Sequence, residues 1–116
     1  MALTLKWQTC GDDHHWCSLA NLNLDSIKAK NGVYIIWHEG NPSRIVRIGQ
    51  GKIADRLGAH RNDATITQYG NLRATWASVP VHQMDGVERY LADTWNPLVG
   101  DAFPATGPIA VNSPFG

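Results

Sequence analysis

Apolar and polar positions along the chain change period several times, and each change marks an element. Val33 to Trp37 and Arg44 to Ile48 are short runs rich in β-branched and aromatic residues, separated by Gly40, Asn41 and Pro42, and together they predict a β-hairpin. A connection of that length makes the two strands antiparallel. After Ile48 the period lengthens. Gly49-Gln50-Gly51 interrupts the strand, and Ile53 and Leu57 then recur four apart within Lys52 to His60, the spacing at which a short helix buries one stripe. Leu72, Ala74, Trp76 and Ser78 alternate with Arg73, Thr75, Ala77 and Val79, which predicts a third strand stopped by Pro80. Asp85-Gly86-Val87-Glu88 opens a second helix with Val87, Leu91 and Thr94 or Trp95 as its buried stripe, closed by Asn96-Pro97.

The flanks are less regular. Residues 1–31 set Trp7, Trp16, Leu19 and Leu22 among polar turns and read as a packing arm, with a short helix from Asp25 towards Asn31-Gly32. Asn62 to Gly70 reads as loop, and residues 98–116, rich in proline and glycine, as an irregular tail over the surface. The expected architecture is one α/β (α+β) domain over residues 1–116, with a core at 32–97: a three-stranded, mainly antiparallel sheet flanked by helices.

Length and composition bound this picture. A chain of 116 residues supports one modest core, and 43% hydrophobic against 17% charged residues marks it as globular rather than disordered. Neither a leader nor an apolar run long enough to cross a membrane is visible, so a cytoplasmic setting is expected. Cys10, His14, His15 and Cys17 offer zinc-ligating atoms, but their spacing matches no familiar pairing of C-x2-C with H-x3-H. Two reduced cysteines and two loop histidines are the expected state.

Charge is where the sequence becomes informative. The formal net charge is zero, yet Arg44, Arg47, Lys52, Arg56 and Arg61 face one acid, Asp55, between residues 44 and 61. Lys52, Arg56 and His60 recur at i, i+4 and i+8, so they share one face of the predicted helix. A local basic cluster within a neutral chain points to a phosphate-bearing partner without indiscriminate coating of DNA. Phosphodiester hydrolysis needs a positioned nucleophile, a route for its proton and positive charge on the phosphate oxygens. Tyr34 is the candidate for activating water, Arg56 for clamping phosphate with Lys52 beside it, His60 for assisting proton transfer and Glu88 for holding Mg²⁺ (or Mn²⁺). Each has a plainer reading: Glu88 as partner of Asp85 in a capping box, Tyr34 as a packed aromatic, Arg56 and His60 as a solvated helix face.

Gly32-Val33-Tyr34, then Arg47-Ile48-Gly49, then a helix with Arg56 and His60, resembles the core of the GIY-YIG endonucleases. The resemblance covers about residues 32–97. It implies a divalent-metal-dependent endonuclease acting on DNA and leaving 5′-phosphate and 3′-hydroxyl ends. In that reading Tyr34 lines the site, Arg56 binds phosphate, and Glu88, with Pro97 nine residues on, is the one protein ligand of the metal. The chain departs from the family at two places: Arg47 stands where the second motif has Tyr, adding a cation that can contact phosphate, and the late Asn is missing, with Asn96 and Asn112 as stand-ins.

Two other functions compete. Gly49-Gln50-Gly51-Lys52-Ile53-Ala54 fits a dinucleotide-binding fingerprint, but a hairpin precedes it and no acid follows about twenty residues later. The stronger rival is a nucleic-acid-binding module that has lost hydrolysis with the second tyrosine. For the nuclease and the binding module alike DNA is the expected partner, and a protein partner is one source of cleavage specificity, because no recognition domain accompanies the core.

Overall fold

The computed structural model describes residues 3–10, 16–40, 42–100, 103 and 105–115. The order of elements is β1 (Cys17–Ser18), a 3₁₀ turn (Leu24–Ile27), β2 (Asn31–His38), β3 (Arg44–Lys52), α1 (Ile53–Arg61), α2 (Ala64–Thr67), β4 (Leu72–Ser78) and α3 (Val81–Trp95). The sheet is antiparallel throughout, with strands in the order β1-β4-β2-β3. It therefore has four strands where three were expected. The fourth is the two-residue β1, too short to show any alternation.

β2 is the organising strand because it lies between β4 and β3 and is buried on both faces from Gly32 to Trp37. On one face Tyr34 and Ile36 join Ala74 and Trp76 under Ile53 and Leu57 of α1, Ile66 of α2 and Leu19 and Leu22 of the arm. On the other, Val33, Ile35, Trp37 and Ile48 pack against Met84, Val87 and Leu91 of α3. Sandwiching the sheet between two helical layers explains why β2 reads as a continuous apolar run. Gly32 is held close to β4: a Cβ there would collide with the Ala77 carbonyl.

A β-bulge alters the middle of the hairpin. Ile36 pairs with Arg47 but Trp37 pairs with Ile45, which leaves Val46 as the extra residue of β3. Val46 turns into the first core and Ile45 joins the second. Arg47 stays on the face of Tyr34, since Tyr34 pairs with Gly49 two positions along. Bulges commonly re-aim side chains in this way beside functional sites.

Several sequence expectations change. α3 begins at Val81, with Pro80 as its N-cap, rather than at Asp85. Pro80 has no side-chain cap to signal the start, and Val81 is exposed, so no amphipathic period announces the first turn. Within α3, Val87 and Leu91 are buried as expected, joined by Met84 and Ala92, and of the two alternatives for the end of the stripe Trp95 packs against the core while Thr94 is exposed. The Asn62 to Gly70 segment contains α2, capped by the Asp63 side chain accepting from Thr65 N–H. The helix expected from Asp25 is a single 3₁₀ turn beginning at Leu24 and capped by Asn23. Residues of the tail return to the arm, where Leu3 bridges Val111.

The cysteines are a further correction. Cys10 and Cys17 form a disulfide, which removes both thiolates from any zinc site and replaces the expected reduced pair. His14 and His15 lie outside the described residues. Disulfides persist mainly in oxidising compartments, and the bridge does not favour the cytoplasmic setting expected from the sequence. Among the described residues, no helix is long and apolar enough to cross a membrane.

Candidate active site

Four elements bring Tyr34, Arg47, Arg56, His60 and Glu88 into one electrostatic neighbourhood. Tyr34 from β2 is almost wholly buried, and its hydroxyl lies 2.6 Å from Nε2 of His60 on α1. Gly49, directly across the hairpin from Tyr34, makes this possible. A Cβ at Gly49 would strike the Tyr34 hydroxyl and lie 2.5 Å from Cζ of its ring. Gly49 and Tyr34 thus form one physical unit.

The surroundings shift Tyr34, His60 and Glu88. Burial raises the Tyr34 pKa above its ordinary value, and the adjacent Arg47 guanidinium, with Arg56 behind it, draws it back. His60 is pushed down to about 4, first by burial and then by the positive charge of Arg47, against a smaller opposing pull from Asp63. Neutral at physiological pH, its Nε2 either accepts the Tyr34 O–H or donates to the phenol oxygen, according to tautomer. Glu88 is 7% exposed, and burial raises its carboxyl pKa while Gln50 and Arg47 favour the charged form.

Glu88 lies well inside α3, so the capping-box reading with Asp85 is excluded: the N-cap is Pro80. Asp85 instead accepts a 2.6 Å hydrogen bond from Nε2 of Gln50. Gln50 and Asp85 are site neighbours that sequence reasoning missed. Their only signal was the placement of Gln50 between two glycines at the end of β3.

The basic cluster divides. Arg47 and Arg56 act on the titrating groups, and the Arg56 side chain occupies the space over Gly51. Lys52 is the exposed N-cap residue of α1 and lines a shallow cleft of about 320 Å³ with Asp55, Arg56 and Ala59, at the rim of the site. Arg61 is structural, donating from Nη2 to the Leu22 carbonyl at 2.6 Å and tying α1 to the arm. The two candidate stand-ins for the late Asn also have other tasks. Asn96 is the left-handed C-cap of α3, and the Asn112 amide bonds both Leu5 N–H and Leu5 C=O. Gly100 of the tail lies beside Arg47: a Cβ on it would be 3.1 Å from Nη1.

A depressed His60 pKa has a consequence for stability. The unfolded chain takes up a proton near the ordinary value of 6.5, whereas the folded chain resists it until about 4, so the contribution of His60 is complete above pH 6.5 and is lost as pH falls towards 4. Thermal denaturation between pH 7 and 4 should therefore show a steeper loss of stability in the wild type than in His60→Asn. Parallel curves would contradict the neutral, half-buried imidazole.

Comparison with protein-family models, curated proteins and solved structures finds no match for the chain.

Proposed function

We propose that the chain is a divalent-metal-dependent endonuclease that hydrolyses DNA phosphodiester bonds at the Tyr34 site, in the manner implied by its resemblance to GIY-YIG enzymes. The observation that carries this reading is the Tyr34–His60 hydrogen bond set beside two arginines and a buried glutamate. The order of the elements supports it as well. The first motif lies on β2, the second on β3, the arginine and histidine on α1 and the glutamate on α3, which is the order the resemblance requires.

The residues fit a hard cation of modest protein coordination. Among the described residues no cluster of three or more His, Cys, Asp or Glu is assembled for metal binding. Mg²⁺ is commonly held by one or two carboxylates together with substrate phosphate and water, which suits Glu88 with the Asp85 carboxylate near enough to act on its charge. A divalent cation bound there supplies Lewis-acid stabilisation of the phosphoryl oxygens. Arg47 and Arg56 place positive charge where the phosphate's negative charge increases during reaction. Tyr34, with its hydroxyl oriented by His60, offers an oxygen lone pair to the attacking water. Neutral His60 serves better as a hydrogen-bond partner that fixes that hydroxyl than as a strong base.

Arg56→Lys should lower the cleavage rate about 100-fold with little effect on folding, because a point charge does not reproduce a bidentate clamp on phosphate. Unchanged rates would return Arg56 to the solvated helix face. The alternative reading, a binding module without hydrolysis, draws on Arg47 in the place of a site tyrosine. Incubation of supercoiled plasmid with Mg²⁺, Mn²⁺ or chelator separates the two. Cleavage confined to the metal arms, leaving 5′-phosphate and 3′-hydroxyl ends, supports the nuclease; DNA retained intact in every arm supports the binder.

A further inference from the structure

A second cleft opens at the other end of β3 from the site. About 510 Å³ in volume, within the range of about 300–1,000 Å³ common for small-molecule sites, it is walled by Trp16, Trp37, Trp95 and Phe115, with Glu39 and Arg44 at its mouth. Trp37 is part of the core at 4% exposure, whereas Phe115 is 40% exposed. The rings meet edge to face. Trp16 and Trp37 lie 5.4 Å apart at 88°, Trp37 and Phe115 4.9 Å apart at 82°, and Trp95 and Phe115 5.6 Å apart at 88°. In each pair the edge of one ring covers part of the other's face, so a planar guest has only what the half-buried Trp16 and Trp95 and the exposed Phe115 leave open, with Trp37 as the floor.

Charge selects the guest. An aromatic cage with a free carboxylate would favour a quaternary ammonium ion. Here Arg73 lies 3.5 Å from the Glu39 carboxylate, so Glu39 is already matched by one cation while Arg44 adds a second. Two arginines against one glutamate favour a flat ring that carries negative charge. A nucleobase attached to its phosphate has both features, and stacking on aromatic side chains tolerates any base.

Position then links this cleft to the candidate site. Arg44 and Arg47 are three residues apart on β3, roughly 10 Å along the strand. Trp37 and Ile45 of the cleft, however, belong to the α3 face of the sheet and Arg47 to the face of Tyr34, so a strand joining the two rounds the β3 edge. The β3 edge between them is already paired, with Leu98 N–H donating to Ile45 O and Val99 N–H to Val46 O. A nucleic-acid strand crossing from cleft to site therefore meets side chains rather than open backbone.

We infer that the Trp16–Trp37–Trp95–Phe115 cleft stacks an unpaired base of the DNA strand whose phosphate is held at Arg47 and Arg56, making the protein selective for DNA with a single-stranded or displaced segment. That the guest belongs to a DNA strand rests on the nuclease reading; the aromatic and cationic character of the cleft does not.

The test is a titration of ¹⁵N-labelled protein in EDTA, following the indole N–H resonances assigned through Trp16→Phe and Trp95→Phe. The probes are a short oligothymidylate, the deoxynucleoside monophosphates, inorganic phosphate and tetramethylammonium. The oligothymidylate should shift Trp16 and Trp95 and bind more tightly than any mononucleotide, and its affinity should fall about tenfold in Phe115→Ala and in Arg44→Glu. Phosphate and tetramethylammonium should leave both indoles unmoved. Absence of an indole shift with the oligonucleotide, affinity unchanged in both variants, equal binding of mononucleotides or capture of tetramethylammonium would each overturn the inference. Plasmid nicking without indole shifts would sink the cleft alone, and indole shifts in a protein that never cuts would sink the nuclease reading alone.

Discussion

Replacing Glu88 with Gln should remove nearly all metal-dependent cleavage, a loss of about 1,000-fold or more, while raising the melting temperature at neutral pH by a few degrees. The two effects have one cause. A 7% exposed carboxyl whose pKa is raised chiefly by burial is held in a place that disfavours its charge, which is useful for gripping a cation and costly for the fold. The sign of the pH dependence follows. Because the folded pKa lies above the ordinary 4.5, Glu88 adds no penalty below 4.5, and the penalty grows as pH rises through the folded value. The advantage of Glu88→Gln should therefore vanish in acid and grow as pH rises above 4.5, as thermal denaturation from acid to neutral pH would reveal. A variant that cuts DNA normally removes Glu88 from the metal role, and one less stable than the wild type at neutral pH contradicts the buried charge.

Gly49→Ala should be nearly as damaging for a different reason. Its methyl group would enter the volume of the Tyr34 hydroxyl and ring, so either β2 and β3 separate locally or the ring turns away from His60. Overpacking of this kind costs about 1–3 kcal/mol, and displacement of the Tyr34 oxygen should reduce cleavage at least about 100-fold. Truncating the ring tests the mechanism. The double variant Gly49→Ala with Tyr34→Leu should regain stability relative to the sum of the single changes, since the collision is removed, and should stay inactive. Additive destabilisation would show that Gly49 and Tyr34 are not coupled.

The hairpin pairing, α1 and the third predicted strand were legible because each carries its burial in a run of residues long enough to show a period. The break expected at Gly49-Gln50-Gly51 is absent, however: β3 runs through all three to Lys52, paired with β2. Ile53 and Leu57 fall on the buried stripe of α1, as their spacing requires. The start of α3 was not legible, since Pro80 caps it without a side-chain hydrogen bond and the first buried residue is Met84. β1 could not be read from two residues, and the bulge at Val46 depends on how two strands register, which neither strand states alone. Of the candidate site, Tyr34, Arg47, Arg56, His60 and Glu88 come together in space, whereas Lys52 stays at the rim. The Gln50–Asp85 contact escaped notice because it joins residues 35 apart in sequence, and each residue reads locally as something else, Gln50 as part of a glycine-flanked turn and Asp85 as a helix start. Arg61 shows the converse. Its charge added to a basic cluster on paper, but its guanidinium is spent on the Leu22 carbonyl.

If the protein cuts DNA as proposed, the Tyr34 hydroxyl held by His60 takes part in the reaction. Tyr34→Phe removes that one oxygen and keeps the ring in its core position under α1. Single-turnover cleavage of plasmid in Mg²⁺ by the wild type and by Tyr34→Phe, with folding of both checked by thermal denaturation, is the most direct measurement. The expected result is a rate reduced about 100- to 1,000-fold in a variant that remains folded. Equal rates would contradict the account and leave the Tyr34–His60 pair as packing.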